Sequence, residues 1–229
     1  MMKEKIKKII KELGADICGI ANVERFVNAP SGFHPTDIYK DCKSVIVFAK
    51  RMPKGLAYVN PRIVYTKATD INLDEIDHIS YHASIEIENL GGIAIPLPSD
   101  SPYDYWDSEN MEGRGILSMR HAAVRAGVGS MGKNTLIINE KYGNMINIGV
   151  ILTNLDLESD LLSKEMCIEG CQLCINNCPQ KALNGLTVNQ KLCREFTYTN
   201  NGKGFGVCNC NKCRVICPRV FGEKVLEMN

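Results

Sequence analysis

The sequence predicts a mixed α/β chain of the α+β class, divided into a first domain over residues 1–158 and a cysteine-rich second domain over 159–229. Three observations carry this. Short apolar runs of strand length alternate irregularly with stretches of helical periodicity. At least one pair of strands reads as an antiparallel hairpin, which argues against a doubly wound sheet. Nine of the 11 cysteines fall between Cys167 and Cys217.

Taken in order, Ile6, Ile9, Ile10 and Leu13 form one apolar stripe with lysines on the other face, so an amphipathic helix opens the chain and Gly14 caps it. Those lysines are most simply a solvated face. Ala15–Ala21 reads as a short buried strand, and Cys18 within it, like Cys42 further on, as a small core residue. After a Pro/Gly-rich loop, Ser44–Ala49 is a second buried strand with no alternation. Leu73, Ile76, Ala83, Ile87 and Leu90 mark a helix from about 73 to 90, stopped by Gly91-Gly92. Ile93–Ile95 is a brief strand cut off by Pro96. The stretch 96–106, with Tyr103, Tyr105 and the sole tryptophan, Trp106, is a long aromatic loop of the sort that often carries function. Ile116–Ala126 is a further helix, and Thr135–Asn139 with Met145–Thr153 the hairpin.

A formal net charge of +1 leaves no basic footprint, so nucleic acid is not expected as a partner. No apolar stretch reaches transmembrane length and the first residues lack a leader pattern, so a cytoplasmic protein that does not engage a membrane is expected. Reduced thiols in that compartment point to metal ligation rather than disulfides.

Gly127-Val128-Gly129-Ser130-Met131-Gly132 matches the dinucleotide pattern, but it follows a helix and opens a strand, the reverse of the Rossmann context. NAD is therefore rejected. A Gly-rich turn of bare backbone remains, with Lys133 and Asn134 beside it, as suited to approaching a large cofactor as to making a tight connection. The four histidines show no ligand spacing. Asp104, Asp107, Glu109 and Glu112 are candidate proton donors near the aromatic loop, although clustered loop acids are usually only solvated. No catalytic residue is assigned.

The cysteines differ in kind. Two runs each end in Cys-x-x-Cys-x-x-x-Cys-Pro, the spacing of two-cluster ferredoxins, in which the cysteine before proline ligates the other cluster. On that logic one 4Fe-4S cluster takes Cys167, Cys171, Cys174 and Cys217. The other takes Cys178, Cys210, Cys213 and either Cys193 or Cys208. Three residues rather than two separate Cys167 from Cys171, and Gly170 is the residue able to absorb the extra one. Zinc ribbons also use Cys-x-x-Cys, but they need neither the Cys-Pro ending nor a second copy of it.

With these residues in view the chain resembles the epoxyqueuosine reductase and reductive dehalogenase superfamily. The resemblance runs through Leu13–Ile20, His34-Pro35, Cys42–Val47, the block Ala122–Leu136, Tyr142-Gly143, Leu152-Thr153 and both cysteine runs. It implies a nitroreductase-like first domain holding a corrinoid (cobalamin), with Gly129, Ser130, Met131, Gly132, Lys133 and Asn134 as the cofactor-binding turn. It also implies a ferredoxin-like module with two 4Fe-4S clusters, and it selects Cys193 over Cys208 as the last ligand. An external low-potential donor, such as a ferredoxin or flavodoxin, is implied as the source of electrons. The resemblance breaks at Gly113-Arg114-Gly115-Ile116, where epoxyqueuosine reductases carry an acid in an Asp-x-x-Pro stretch, and the chain ends soon after Cys217, without the helical repeats of longer relatives. A small-molecule substrate is therefore expected in place of tRNA. The alternative is an electron-transfer protein with no substrate of its own.

Overall fold

The computed structural model of the protein describes residues 2–60 and 62–223. Helix α1 (Met2–Glu12) buries Ile6 and Ile10 and ends where Gly14 adopts φ +113°, a left-handed cap that lets the Ala15 amide reach back to the Ile10 carbonyl at 3.2 Å. Strand β1 (Ile17–Asn22) follows, then α2 (Pro35–Ile38), capped by the His34 side chain, and β2 (Ser44–Arg51). Helix α3 (Arg62–Asn89) runs for 28 residues into β3 (Ala94–Leu97). The expected helix from Leu73 is thus only its C-terminal part. The first turns are held by Tyr65, which packs with Met52 and Leu56 just ahead of the helix and with Met145, Val220 and Phe221 far along the chain. Pro96 does not cut β3 short, because β3 lies at the sheet edge, where a missing N–H is tolerated.

A small ribbon of β4 (Tyr105–Asp107) and β5 (Glu112–Arg114) precedes α4 (Met119–Arg125), which Ser118 caps. The expected hairpin between Thr135–Asn139 and Met145–Thr153 does not form. Strand β7 (Ile137–Ile138) pairs instead with β6 (Ser130–Met131), so the Gly-rich turn is itself the hairpin, with Thr135 at φ +62°. Strand β8 (Ile146–Thr153) is drawn into the main sheet, because its eight residues find a full ladder with β2 there, from Ser44 opposite Thr153 to Arg51 opposite Ile146.

That sheet is antiparallel throughout, in the order β1-β2-β8-β3. Both faces are buried, which explains the absence of alternation in its sequence. Ile20, Ile46, Phe48 and Ile151 meet Ile6, Ile76, Ala83 and Ile87 of α1 and α3 on one side. Val45, Val47, Val150 and Leu152 meet Ala122, Ala123 and Ala126 of α4 on the other. Cys18 and Cys42 are buried thiols of these two cores, as expected.

The remaining chain carries α5 (Leu173–Asn176), α6 (Gln190–Thr197), the hairpin β9 (Tyr198–Asn200) and β10 (Gly206–Cys208), and α7 (Lys212–Val215). Its leading segment is pinned to the body. Asp160 pairs with Lys3 and Lys7 at 2.8 Å and accepts the Ile20 amide at 2.9 Å, while Ser159 accepts the Asn22 amide at 2.8 Å. Gly127, at φ +71°, lets Leu161 cross where a side chain would strike the Leu161 carbonyl. Among the described residues no helix is long and apolar enough to cross a membrane.

Candidate functional site

The nine clustered cysteines divide by position into two groups. Cys167, Cys171, Cys174 and Cys217 line one small cavity of about 20 Å³ together with Lys133, Asn134 and Arg219. The three-residue gap after Cys167 is closed by a turn in which the Cys171 amide donates to the Ile168 carbonyl at 3.1 Å and Gly170 takes φ +70°. Burial raises the pKa of the Cys217 thiol, and so do the charges of Cys167, Cys174 and Cys171.

A second group forms where α6 meets the loop before α7. Burial pushes Cys213 up to about 11, and Cys193, Cys210 and Cys178 add to it. Cys210 is raised by burial and then by Cys193 and Cys178. Cys208, on β10, stands beside this group: its Sγ lies 3.5 Å from the Cys210 carbonyl oxygen and it feels Cys210 and Cys193. All 11 cysteines are free thiols. Among the described residues no three His, Cys, Asp or Glu side chains are packed closely enough to clasp a single ion. Four soft, deprotonatable donors around a common space are instead the donor set that a polynuclear iron–sulfur cube takes up.

The Gly-rich hairpin serves the cysteine loops. Lys133 Nζ donates to the Cys171 carbonyl at 2.9 Å, and Asn134 Nδ2 donates to the Cys213 carbonyl at 2.9 Å. Ser130 Oγ accepts the Met166 amide at 2.8 Å and donates to Glu165 at 3.1 Å. Gly129 and Gly132 pack against Ile138, too closely for a side chain at either position. None of the six residues Gly129, Ser130, Met131, Gly132, Lys133 and Asn134 is among those lining the two large cavities.

Those cavities, of about 630 and 590 Å³, share Ser99, Asp100, Met119, Arg120, Thr197 and Tyr198 as a common wall. Cys193 lines the first, and Cys208, Cys210 and Cys213 line the second. Desolvation, and then the neighbouring Arg214, hold the Arg120 guanidinium below its ordinary pKa. Tyr198 is open to the cavities yet surrounded by protein, and burial followed by Asp100 pushes its phenol up to about 12. The aromatic loop lines one side of the first cavity through Pro102, Tyr103 and Asp104. Tyr103 and Trp106 stack at 5.8 Å, and the Arg194 guanidinium sits 5.0 Å from the Tyr103 ring and 5.2 Å from Trp106. Gln190 exchanges two hydrogen bonds with the Gly113 backbone, at 3.0 and 3.2 Å.

Of the four loop acids, only Asp104 lines a cavity. Asp107 turns back to accept from Glu109 and Asn110, and Glu112 pairs with Arg114. Asp100, Arg120, Arg194 and Tyr198 carry no sequence signal of their own and come together only in the fold. Among the histidines, His34 caps α2, His121 bonds Ser118, and His78 and His82 lie exposed on α3.

No family model matches the chain. The epoxyqueuosine reductase of Bacillus cereus is 26% identical across 96% of the chain and 65% of its own length, so the chain spans about two thirds of that relative. An epoxyqueuosine reductase structure with a tRNA stem loop aligns over 96% of the chain and 65% of that protein, with a TM-score of 0.63 at 18% identity. A reductive dehalogenase described for B12-dependent dehalogenation aligns over 98% of the chain and 33% of that protein, with a TM-score of 0.70 at 18% identity. The chain is similar to epoxyqueuosine reductases along nearly its whole length, and it shares the fold of epoxyqueuosine reductases and reductive dehalogenases. This likeness bears on one expectation. Net charge alone argues against nucleic acid, yet an epoxyqueuosine reductase of the same fold is solved with a tRNA stem loop. Whole-chain charge says nothing of a binding surface that occupies a small share of the molecule.

Proposed function

We propose that the chain is a cytoplasmic reductase that carries single electrons through two 4Fe-4S clusters to a corrinoid, cobalamin, and so reduces a substrate held in the paired cavity. Residues 159–229 form the electron-carrying module and residues 1–158 the body against which the substrate is held. Cys167, Cys171, Cys174 and Cys217 ligate the first cluster. Cys178, Cys193, Cys210 and Cys213 ligate the second, with Cys208 outside the set. The observation that carries this reading is the wall shared between the second cysteine group and the cavities: Cys193 lines one, Cys210 and Cys213 the other.

Two adjoining spaces of several hundred Å³ suit a large flat cofactor with a substrate beside it. A bound corrinoid supplies a cobalt centre that accepts electrons singly. Met119, Thr197 and Tyr198 are the residues to hold it. Arg120 offers a positive charge to an anionic group, and Tyr198, protonated at neutral pH, holds a proton at its phenol oxygen. Tyr103 and Arg194 line the first cavity, and Trp106 stacks on Tyr103 behind them. An external low-potential donor, such as a ferredoxin or flavodoxin, delivers electrons at the first cluster, where Leu173 is exposed. The relatives' names point to an epoxide or a carbon–halogen bond as the group reduced, on a small molecule or on a modified nucleoside.

Metal analysis of anaerobically prepared protein tests this. About eight iron and one cobalt per chain are expected. Iron without cobalt fits the carrier with no substrate of its own, and zinc without iron removes both readings.

A further inference from the structure

Among the described residues five buried side-chain polar atoms have no hydrogen-bond partner, and only two of them are N–H donors: Asn211 Nδ2 and Arg219 Nε. Each lies beside one cysteine group. Arg219 lines the cavity formed by Cys167, Cys171, Cys174 and Cys217. Asn211 is 9% exposed, falls between Cys210 and Cys213 in the chain, and lines the same cavity wall as both. A buried donor without an acceptor carries its full desolvation cost, so two such groups, one per site, call for an acceptor that protein atoms do not supply. The matching position in the first run offers nothing equivalent, since Gln172, between Cys171 and Cys174, is exposed.

We infer that Arg219 Nε–H and Asn211 Nδ2–H each donate a hydrogen bond to a sulfur of one iron–sulfur cluster, Arg219 to the first and Asn211 to the second, and so set that cluster's reduction potential. Sulfur gains negative charge when the cluster takes an electron. A donor aimed at it therefore favours the reduced form and raises the potential. The two are positioning residues rather than ligands, and the inference rests on the cluster reading above.

The test is a redox titration of the anaerobic, iron-loaded full chain, followed by electron paramagnetic resonance, in Asn211→Leu and Arg219→Lys. Lysine keeps the charge at 219 and loses the planar Nε–H. Each variant is expected to retain about eight iron and to lower one of the two potentials. The expected change is roughly tenfold in the reduction equilibrium, ~59 mV for a one-electron couple. The two variants should move different couples. If either substitution prevents loading, Asn211→Ala and Arg219→Met, which also lack the donor, take its place. Full iron with both potentials unchanged, or both variants moving the same couple, overturns the inference and leaves the cluster reading standing. Zinc without iron in the unsubstituted chain overturns both.

Discussion

The two cysteine runs share one spacing and occupy opposite environments. The first run leaves Gln172 and Leu173 exposed, and its group encloses only a small space. The second buries Asn211 and opens onto cavities large enough for a ligand. Equal spacing therefore does not bring equal surroundings, for the fold leaves one cysteine group around a small enclosed space and opens the other onto a large cavity. The Gly-rich hairpin shows the same division within two adjacent residues, for Lys133 braces the first run and Asn134 the second.

The sharpest way to break this comparison is to remove one ligand from one side. Cys193→Ser should lose the second cluster, so that iron falls by about half while the first cluster's spectroscopic signature persists. Cys208→Ser should keep both clusters. The opposite pair of results would show the two groups to be wrongly sorted.

Next in size is Asn134→Leu. Asn134 is 3% exposed, and its loss leaves the Cys213 carbonyl without that donor, a cost of about 1–3 kcal/mol. Chelator challenge should then strip the second cluster faster than the first. Lys133→Met, at a more open position, should show the same preference reversed and weaker.

Arg194→Ala addresses the cavity side alone. Removing the guanidinium from between Tyr103, Trp106 and Tyr198 forfeits cation–π contacts of about 0.5–2 kcal/mol. Because Trp106 is the only tryptophan, its emission should shift to the red, with release of a cavity ligand a fewfold faster; an unmoved spectrum would show that Arg194 does not hold the loop.

The smallest effect lies at the junction. At Asp160 burial opposes ionisation, but hydrogen bonds from Lys3 and Lys7 outweigh it and leave the carboxyl below its ordinary value. A depressed carboxyl adds stability above its unfolded pKa of about 4 and loses it as pH falls through the folded value. Asp160→Asn should lower the melting temperature at neutral pH and flatten its acid limb, leaving both cluster potentials where they were.

What the sequence makes legible is what local pattern encodes. Cysteine spacing separates the runs, the glycine in the long gap marks the turn there, and unbroken apolar strands announce a sheet covered on both faces. The N-terminal half of α3 escapes because Ile63, Val64 and Ile71 are exposed, which blurs the helical stripe, while Tyr65 packs with residues outside the helix, Met52 and Leu56 before it and Met145, Val220 and Phe221 far beyond it. The pairing of β8 fails for a related reason: nearness in sequence favours β7, whereas β2, a hundred residues earlier, offers the longer ladder. Arg194 and Tyr198 are ordinary residues on α6 and β9 until the aromatic loop folds over them.

The exchange of cysteines between the runs also bears on how the protein is made. Cys217 completes a group whose other three members lie at 167–174, and Cys178 joins a group whose later members are Cys193, Cys210 and Cys213. Once residue 200 has been added to the growing chain, three thiols of the first group and only two of the second have therefore been made. The sheet can fold at that point, since β8 is already out. On the ligation proposed above, neither group has its full set of cysteines until the last forty residues are made, so loading of both clusters would follow completion of the second run rather than proceed piecemeal with translation.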